Sequence, residues 1–147
     1  MLHPHTVIVY DELEASEAVR WEWLLHSPTE FKIDAVKKTL STDNKTKGWV
    51  AVTQLFGGHV FTLSQTDRFV VPPAITGAEY PNQWHLTARV DGCSATRFLA
   101  IIQVGDEAVS IINRDGDTFN VGDWTIKAVL DASKAPELTV SHRTEQA

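Results

Sequence analysis

The sequence predicts an all-β fold, an antiparallel sandwich of two stacked sheets with few or no helices, and three observations predict it. Apolar and polar residues alternate with a period of two along most of the chain. The segments so patterned are short and divided by clusters of Gly, Asp, Asn and Pro. No apolar stripe at i, i+3, i+4, i+7 persists for three helical turns. About eight or nine strands are expected at hairpin spacing. A single sheet would leave one apolar face uncovered, which is why two layers are predicted. A barrel is the second architecture.

The first strand is the β-branched run Thr6-Val7-Ile8-Val9-Tyr10, closed by an acidic turn from Asp11 to Glu17. Within it, Glu12 to Ala18 is one of two weak helix candidates. Val19, Trp21, Trp23 and Leu25 then alternate with Arg20, Glu22 and His26, so one face is expected to be buried and the other wet. Ser27-Pro28 ends that strand. A short strand is expected over 31–36 and a loop over Ser41-Thr42-Asp43-Asn44-Lys45, whose side chains compete for backbone hydrogen bonds.

Two runs, 49–56 and 59–64, flank Gly57-Gly58, a pair suited to a primed turn, and predict a hairpin. Pro72-Pro73 through Pro81-Asn82 reads as extended, making 70–83 the one candidate internal connector. Beyond it a meander is expected over 84–90, 97–104, 108–112 and 124–130, with turns at Asp91-Gly92, Gly105-Asp106, Asp115-Gly116 and Gly122-Asp123. Phe98 to Ile102 is apolar on both faces, which places it between two layers. Asp131 to Ala135 is the other helix candidate. Residues 1–132 thus form a single sandwich domain, and the polar stretch 133–147 is expected to be a flexible tail.

At 147 residues with 43% apolar side chains and five tryptophans, the chain can bury a core and should fold. Its net charge of −6 argues against broad electrostatic capture of nucleic acid, an anionic membrane or polyanionic glycans. Lys37, Lys38, Lys45 and Lys47, interspersed with Asp34 and Asp43, read as a solvated loop. The single cysteine, Cys93, excludes an intramolecular disulfide. No apolar run approaches the roughly 20 residues of a membrane helix, and the start lacks the form of a signal peptide. Strand-like sequence begins within six residues of Met1, so the chain is expected to be a piece of a longer protein.

Nucleophile elbows, phosphate loops, dinucleotide fingerprints and CxxC pairs do not occur in the sequence. His3 and His5 would share a strand face and could open a zinc site with His26 or Asp11, yet they read as surface residues. Asp11 with Glu12, and Asp115 with Asp117, are the carboxylate pairs a glycosidase would need, but aspartates in turns cap backbone donors for ordinary reasons. No cofactor is expected. Indoles offer flat apolar faces to sugar rings. Trp21 and Trp23 share a face with Val19 and Leu25 and are assigned to the core. Trp49, opening a strand after Gly48, is the tryptophan best placed to contact a glycan, and His26, at the polar end of its strand, is a second candidate contact.

Several phrases together resemble the C-terminal β-sheet region of heparinase II/III-like polysaccharide lyases. They are Thr6-Val7-Ile8-Val9-Tyr10-Asp11-Glu12-Leu13-Glu14-Ala15, then Trp21-Glu22-Trp23-Leu24-Leu25-His26-Ser27, then Trp84-His85-Leu86-Thr87-Ala88-Arg89 followed by Arg97-Phe98-Leu99-Ala100-Ile101-Ile102. The likeness spans most of residues 5–130, and none of the phrases is a catalytic signature. It implies stacked antiparallel sheets joined to an N-terminal α/α toroid, in proteins that cleave uronic-acid polysaccharides by β-elimination. It also implies a periplasmic or extracellular location. The family's His-x-Asp-x-Gly and His-Asn phrases would precede Thr6 and have no match in this sequence. The resemblance therefore implies fold and context, with no catalytic residue and no metal ligand carried over.

The first expectation is a non-catalytic β-sandwich portion of such a lyase, with the toroid and an acidic polysaccharide as partners. The alternative is a self-sufficient carbohydrate-binding module, which requires exposed coplanar rings on one sheet face. A small stand-alone enzyme would instead require converging carboxylates or three clustered metal ligands.

Overall fold

The computed structural model describes residues 5–44, 48–69, 71, 82–105 and 112–143, with the side chain of Asn44 excepted. Ten strands follow one another: β1 Thr6–Ser27, β2 Lys32–Asp34, β3 Thr39–Asn44, β4 Trp49–Gly57, β5 Thr62–Thr66, β6 Trp84–Gly105, β7 Asn113–Asp115, β8 Thr118–Val121, β9 Trp124–Ala128 and β10 Leu138–His142. They make two antiparallel sheets, and no helix occurs among the described residues. The all-β antiparallel sandwich expected from the two-residue period is the observed class. One sheet has the order β1-β6-β4-β3-β2, with β5 also on β6; the other is the meander β10-β9-β8-β7.

The backbone of the molecule is the ribbon of β1 on β6, paired from Thr6↔Gln103 to Ser27↔Trp84. Its middle is irregular. Residues 15–18 of β1 face Ser94 alone, and Arg20 faces the pair Asp91-Gly92. Bulges of this kind bend a strand and sharpen its twist. Gly92 takes φ +73°, a left-handed value that a Cβ resists, and space is open around it. Asp91 holds the bulge from outside, meeting Arg20 Nε at 3.0 Å and Arg89 Nε at 2.9 Å.

The bend is large enough to fold β1 back on itself. Trp23 Nε1 donates to Asp11 Oδ2 at 3.0 Å, whereas twelve residues of straight strand would hold those positions about 40 Å apart. The second half of β6 consequently lies between two cores. Leu99 and Ile101 pack with Phe119, Ile126 and Leu130 toward the small sheet. Phe98 and Ala100 pack the other way with Leu86, Ala88 and Val90 of the first half, and with Leu40 and Leu55. Of the run Phe98 to Ile102, expected to lie between two layers, Phe98 to Ile101 are fully buried and Ile102 is half-buried.

Several local expectations give way to this ribbon. Residues 12–18 are strand and bulge rather than helix or acidic turn, because pairing with β6 outweighs a weak helical pattern. Asp91-Gly92 is a bulge inside one long strand, so 84–90 and 97–104 are not separate hairpin arms. The hairpin expected at Gly57-Gly58 does not form. β4 and β5 both pair with β6 along the same edge, Gly57 opposite Phe98 and Thr62 opposite Arg89. Gly58 is required by close approach: its N–H donates to Arg97 O at 3.0 Å, and a Cβ there would stand 2.1 Å from Leu130 O.

The loop expected over 41–45 is strand through Asn44. Leu40 and Thr42 bury their side chains while β3 pairs with β2 and β4, which overrides the polar composition. The Asp131–Ala135 segment is a turn held by Asp131, whose Oδ1 accepts from Ser133 N at 3.0 Å and Oγ at 2.7 Å. Leu138–His142, read as tail, is β10 and pairs with β9. Of the strand expected over 108–112 only Ile112 lies within the described residues, and the connector 70–83 falls outside them apart from Val71, Asn82 and Gln83.

Candidate functional site

Among the described residues, polar and aromatic groups converge at two cavities and at a ring cluster. The larger cavity, about 420 Å³, opens between the β2–β3 turn and the passage from β4 to β5. That volume suits a small ligand or an inserted side chain. Leu40, Leu55 and Phe56 form its buried floor, Phe61 is half-buried, and Ile33, Val60 and Leu63 line it while reaching solvent.

Both walls are held rigid by backbone contacts. Asp34 Oδ1 accepts from Val36 N at 3.0 Å and Lys37 N at 2.9 Å, which closes the β2–β3 turn, and Lys38 leaves it at φ +54°. The opposite wall is pinned by the Gly58 contact to Arg97. His59 Nδ1 lies 3.1 Å from Thr96 Oγ1. Arg114, from β7, closes the third side. Its guanidinium stands over the rings of Phe56 and Phe119 at 5.9 and 5.2 Å, and Nε donates to Gly116 O at 2.9 Å. The cleft therefore has an apolar floor and the cations Lys38 and Arg114 at its mouth.

A second cavity of about 370 Å³ lies where the two sheets meet near the β8–β9 turn, lined by Thr6, Gln103, Val121, Gly122, Asp123, Trp124 and His142. Trp124 and His142 meet edge to face at 4.8 Å. At the far register end of the ribbon, His26 stacks on its cross-strand partner His85 at 4.5 Å, and Phe69 meets His85 edge-on at 4.8 Å.

Trp49 is half-buried at the start of β4, in register with Asn44, and lines neither cavity. His26 is exposed but belongs to the ring cluster rather than to a cavity. The two candidate glycan contacts are thus not joined in one site. Trp21 and Trp23 are half-buried against the second core, with Trp21 Nε1 donating to Cys93 O at 3.0 Å.

The Asp11–Glu12 carboxylate pair has structural partners. Asp11 takes the Trp23 indole, and Glu12 takes Arg97 Nε at 3.1 Å. Asp115 closes β7 and Asp117 lies in the following turn, where its carbonyl accepts from Ala128 N at 2.8 Å. His5 lends its carbonyl to Val104 N at 2.8 Å, and His3 lies outside the described residues.

Arg97 escaped the reading of the residues as anything but part of a strand. It is 4% exposed, and besides Glu12 it donates to the carbonyls of Val129, Asp131 and Lys134 at 3.3, 2.7 and 2.9 Å. Tyr10 joins it, its hydroxyl donating to Val129 O at 2.7 Å. Burial pushes the Tyr10 phenol above its ordinary pKa, against the opposing pull of Arg97. Together they clamp the β9–β10 connection to the large sheet. A lone arginine directly before the apolar run Phe98 to Ile102 was the available signal, because a buried guanidinium needs acceptors on every side. No protein-family model matches this chain, and no curated protein matches it significantly.

Proposed function

We propose that this chain is the non-catalytic β-sandwich portion of a heparinase II/III-like polysaccharide lyase, where it braces an α/α toroid and lines one wall of the glycan cleft. The observation that carries the reading is where the resembling phrases fall. Thr6 to Tyr10 pairs with Leu99 to Gln103, and Trp21 to Ser27 pairs with Trp84 to Val90, so phrases remote in sequence form one ribbon. A shared likeness is expected of residues that build a common frame. Its chemistry is consistent with a bracing role, since Asp11 and Glu12 are engaged by Trp23 and Arg97. β-Elimination needs a base and a carboxylate-neutralising group pre-positioned in one pocket.

The test is an ultraviolet assay for unsaturated uronate product on heparan, chondroitin and alginate. The chain alone is expected to give none, and a polypeptide that joins it to the preceding coding sequence is expected to give product. Turnover by the chain alone, or inactivity of the longer polypeptide on every acidic glycan, would sink the reading. The second reading, a self-sufficient carbohydrate-binding module, draws on the Trp124–His142 cavity, where an indole stands beside Asp123, Gln103 and Thr6. It predicts retardation in glycan-loaded gels that Trp124→Ala abolishes.

A further inference from the structure

The cleft beside the β2–β3 turn carries features that neither sandwich packing nor glycan binding calls for. Of the cleft's lining, Val60 is 95% exposed and Ile33 and Leu63 are 40% and 37% exposed, while Val36, 93% exposed, lies beyond the lining in the same β2–β3 turn. Aliphatic side chains gathered at the mouth of a ready-made cleft mark a surface that another molecule covers. The walls need little ordering on binding, since Asp34 closes one and the Gly58–Arg97 hydrogen bond pins the other.

The occupant's chemistry follows from charge and shape. The protein as a whole carries −6, yet Lys38 and Arg114 line this cleft and Lys37 stands next to Val36. The one carboxylate in the lining, Asp34, accepts through Oδ1 from the Val36 and Lys37 amides of its own turn. A sugar is the poorer fit. The cleft's phenyl rings are engaged within the fold, Phe56 with Arg114 and Phe119 and Phe61 with Phe98, so the exposed lining is the aliphatic Ile33, Val60 and Leu63, against which sugar hydroxyls would lose water without gaining partners.

We propose that this cleft docks a segment of a partner polypeptide that inserts one large apolar side chain between the two walls and sets flanking carboxylates against Lys38 and Arg114. The proposal goes beyond the lyase reading and is tested without it, because peptide binding is measured on this chain whatever the ultraviolet assay shows.

The experiment is fluorescence polarisation with the labelled peptide Glu-Asp-Leu-Phe-Leu-Asp-Glu. Two control peptides carry lysine for the acidic residues or serine for the apolar ones. Saturable binding of the first peptide alone is expected, weakened by added salt. Val60→Asp and Lys38→Glu should each raise its Kd about tenfold or more while circular dichroism stays unchanged, since both side chains lie at the surface. Absence of saturation at millimolar peptide, or equal binding by both variants, would overturn the proposal. So would polygalacturonate binding that Lys38→Glu removes while the peptide fails to bind, which would make the site a glycan cleft. Wild-type dimers that Val60→Asp dissociates in sedimentation velocity would equally overturn it, assigning the face to a second copy of this chain.

Discussion

Arg97 and Tyr10 show how single side chains fasten the connection between two sheets. Replacing Arg97 by Met keeps the bulk but leaves the Val129, Asp131 and Lys134 carbonyls to find other donors. Chemical denaturation should report a loss of about 2–4 kcal/mol. Tyr10→Phe should cost about 1 kcal/mol for its hydrogen bond to Val129 O. Its pH signature is separate. The folded phenol's pKa is raised, chiefly by burial, so its contribution is complete below the ordinary value of 10.0 and is lost as pH rises through the folded value. The wild type should therefore lose stability more steeply above pH 10 than Tyr10→Phe does. Asp131 works in the opposite direction. Hydrogen bonds from Ser133 lower its pKa, so its contribution holds above 3.8 and is lost as pH falls through the folded value. Asp131→Asn should flatten the acid limb of the urea midpoint against pH.

At the scale of elements, the bulged ribbon separates two uses of glycine that composition alone cannot distinguish. Gly92 answers a backbone angle, with nothing within 4 Å of an added Cβ, whereas Gly58 answers contact with Leu130 O. Gly92→Ala should cost about 1–2 kcal/mol, and Gly92→Asn should recover part of it because asparagine tolerates the left-handed region. At position 58 both substitutions should cost about 1–3 kcal/mol with no recovery by asparagine, since either Cβ displaces the 130 carbonyl. Urea midpoints of the four variants test this. Period-two patterning made β1, β4, β6 and β9 legible, yet it could not tell a turn from a bulge. Asp-Gly and Gly-Gly serve either role, and the choice is made by which strand lies alongside.

For the whole molecule, the fold-back at residues 15–20 makes the halves of the large sheet pack on one another across a shared core. Phe98 lies fully buried in that core with residues from both halves of β6. Phe98→Ala should cost about 3–5 kcal/mol. Intrinsic tryptophan fluorescence and far-ultraviolet circular dichroism should still give coincident transitions if the halves unfold as a unit. The candidate site is likewise a product of the whole. Its lining comes from residues 33–35, 38–40, 55–61, 63 and 114, which only the course of β4 and β5 along one edge of β6 brings together.

Sequence by itself determined the class, the central place of Phe98 to Ile102 and the burial side of Trp21 and Trp23, because alternation and apolar runs are local properties read every second residue. Tertiary structure alone decided that β1 and β6 are single bent strands, that Gly58 is a close contact, that Arg97 is a clamp and that Ile33 and Val60 line one cleft. Each depends on a neighbour many residues away, and no local pattern records the distance between them.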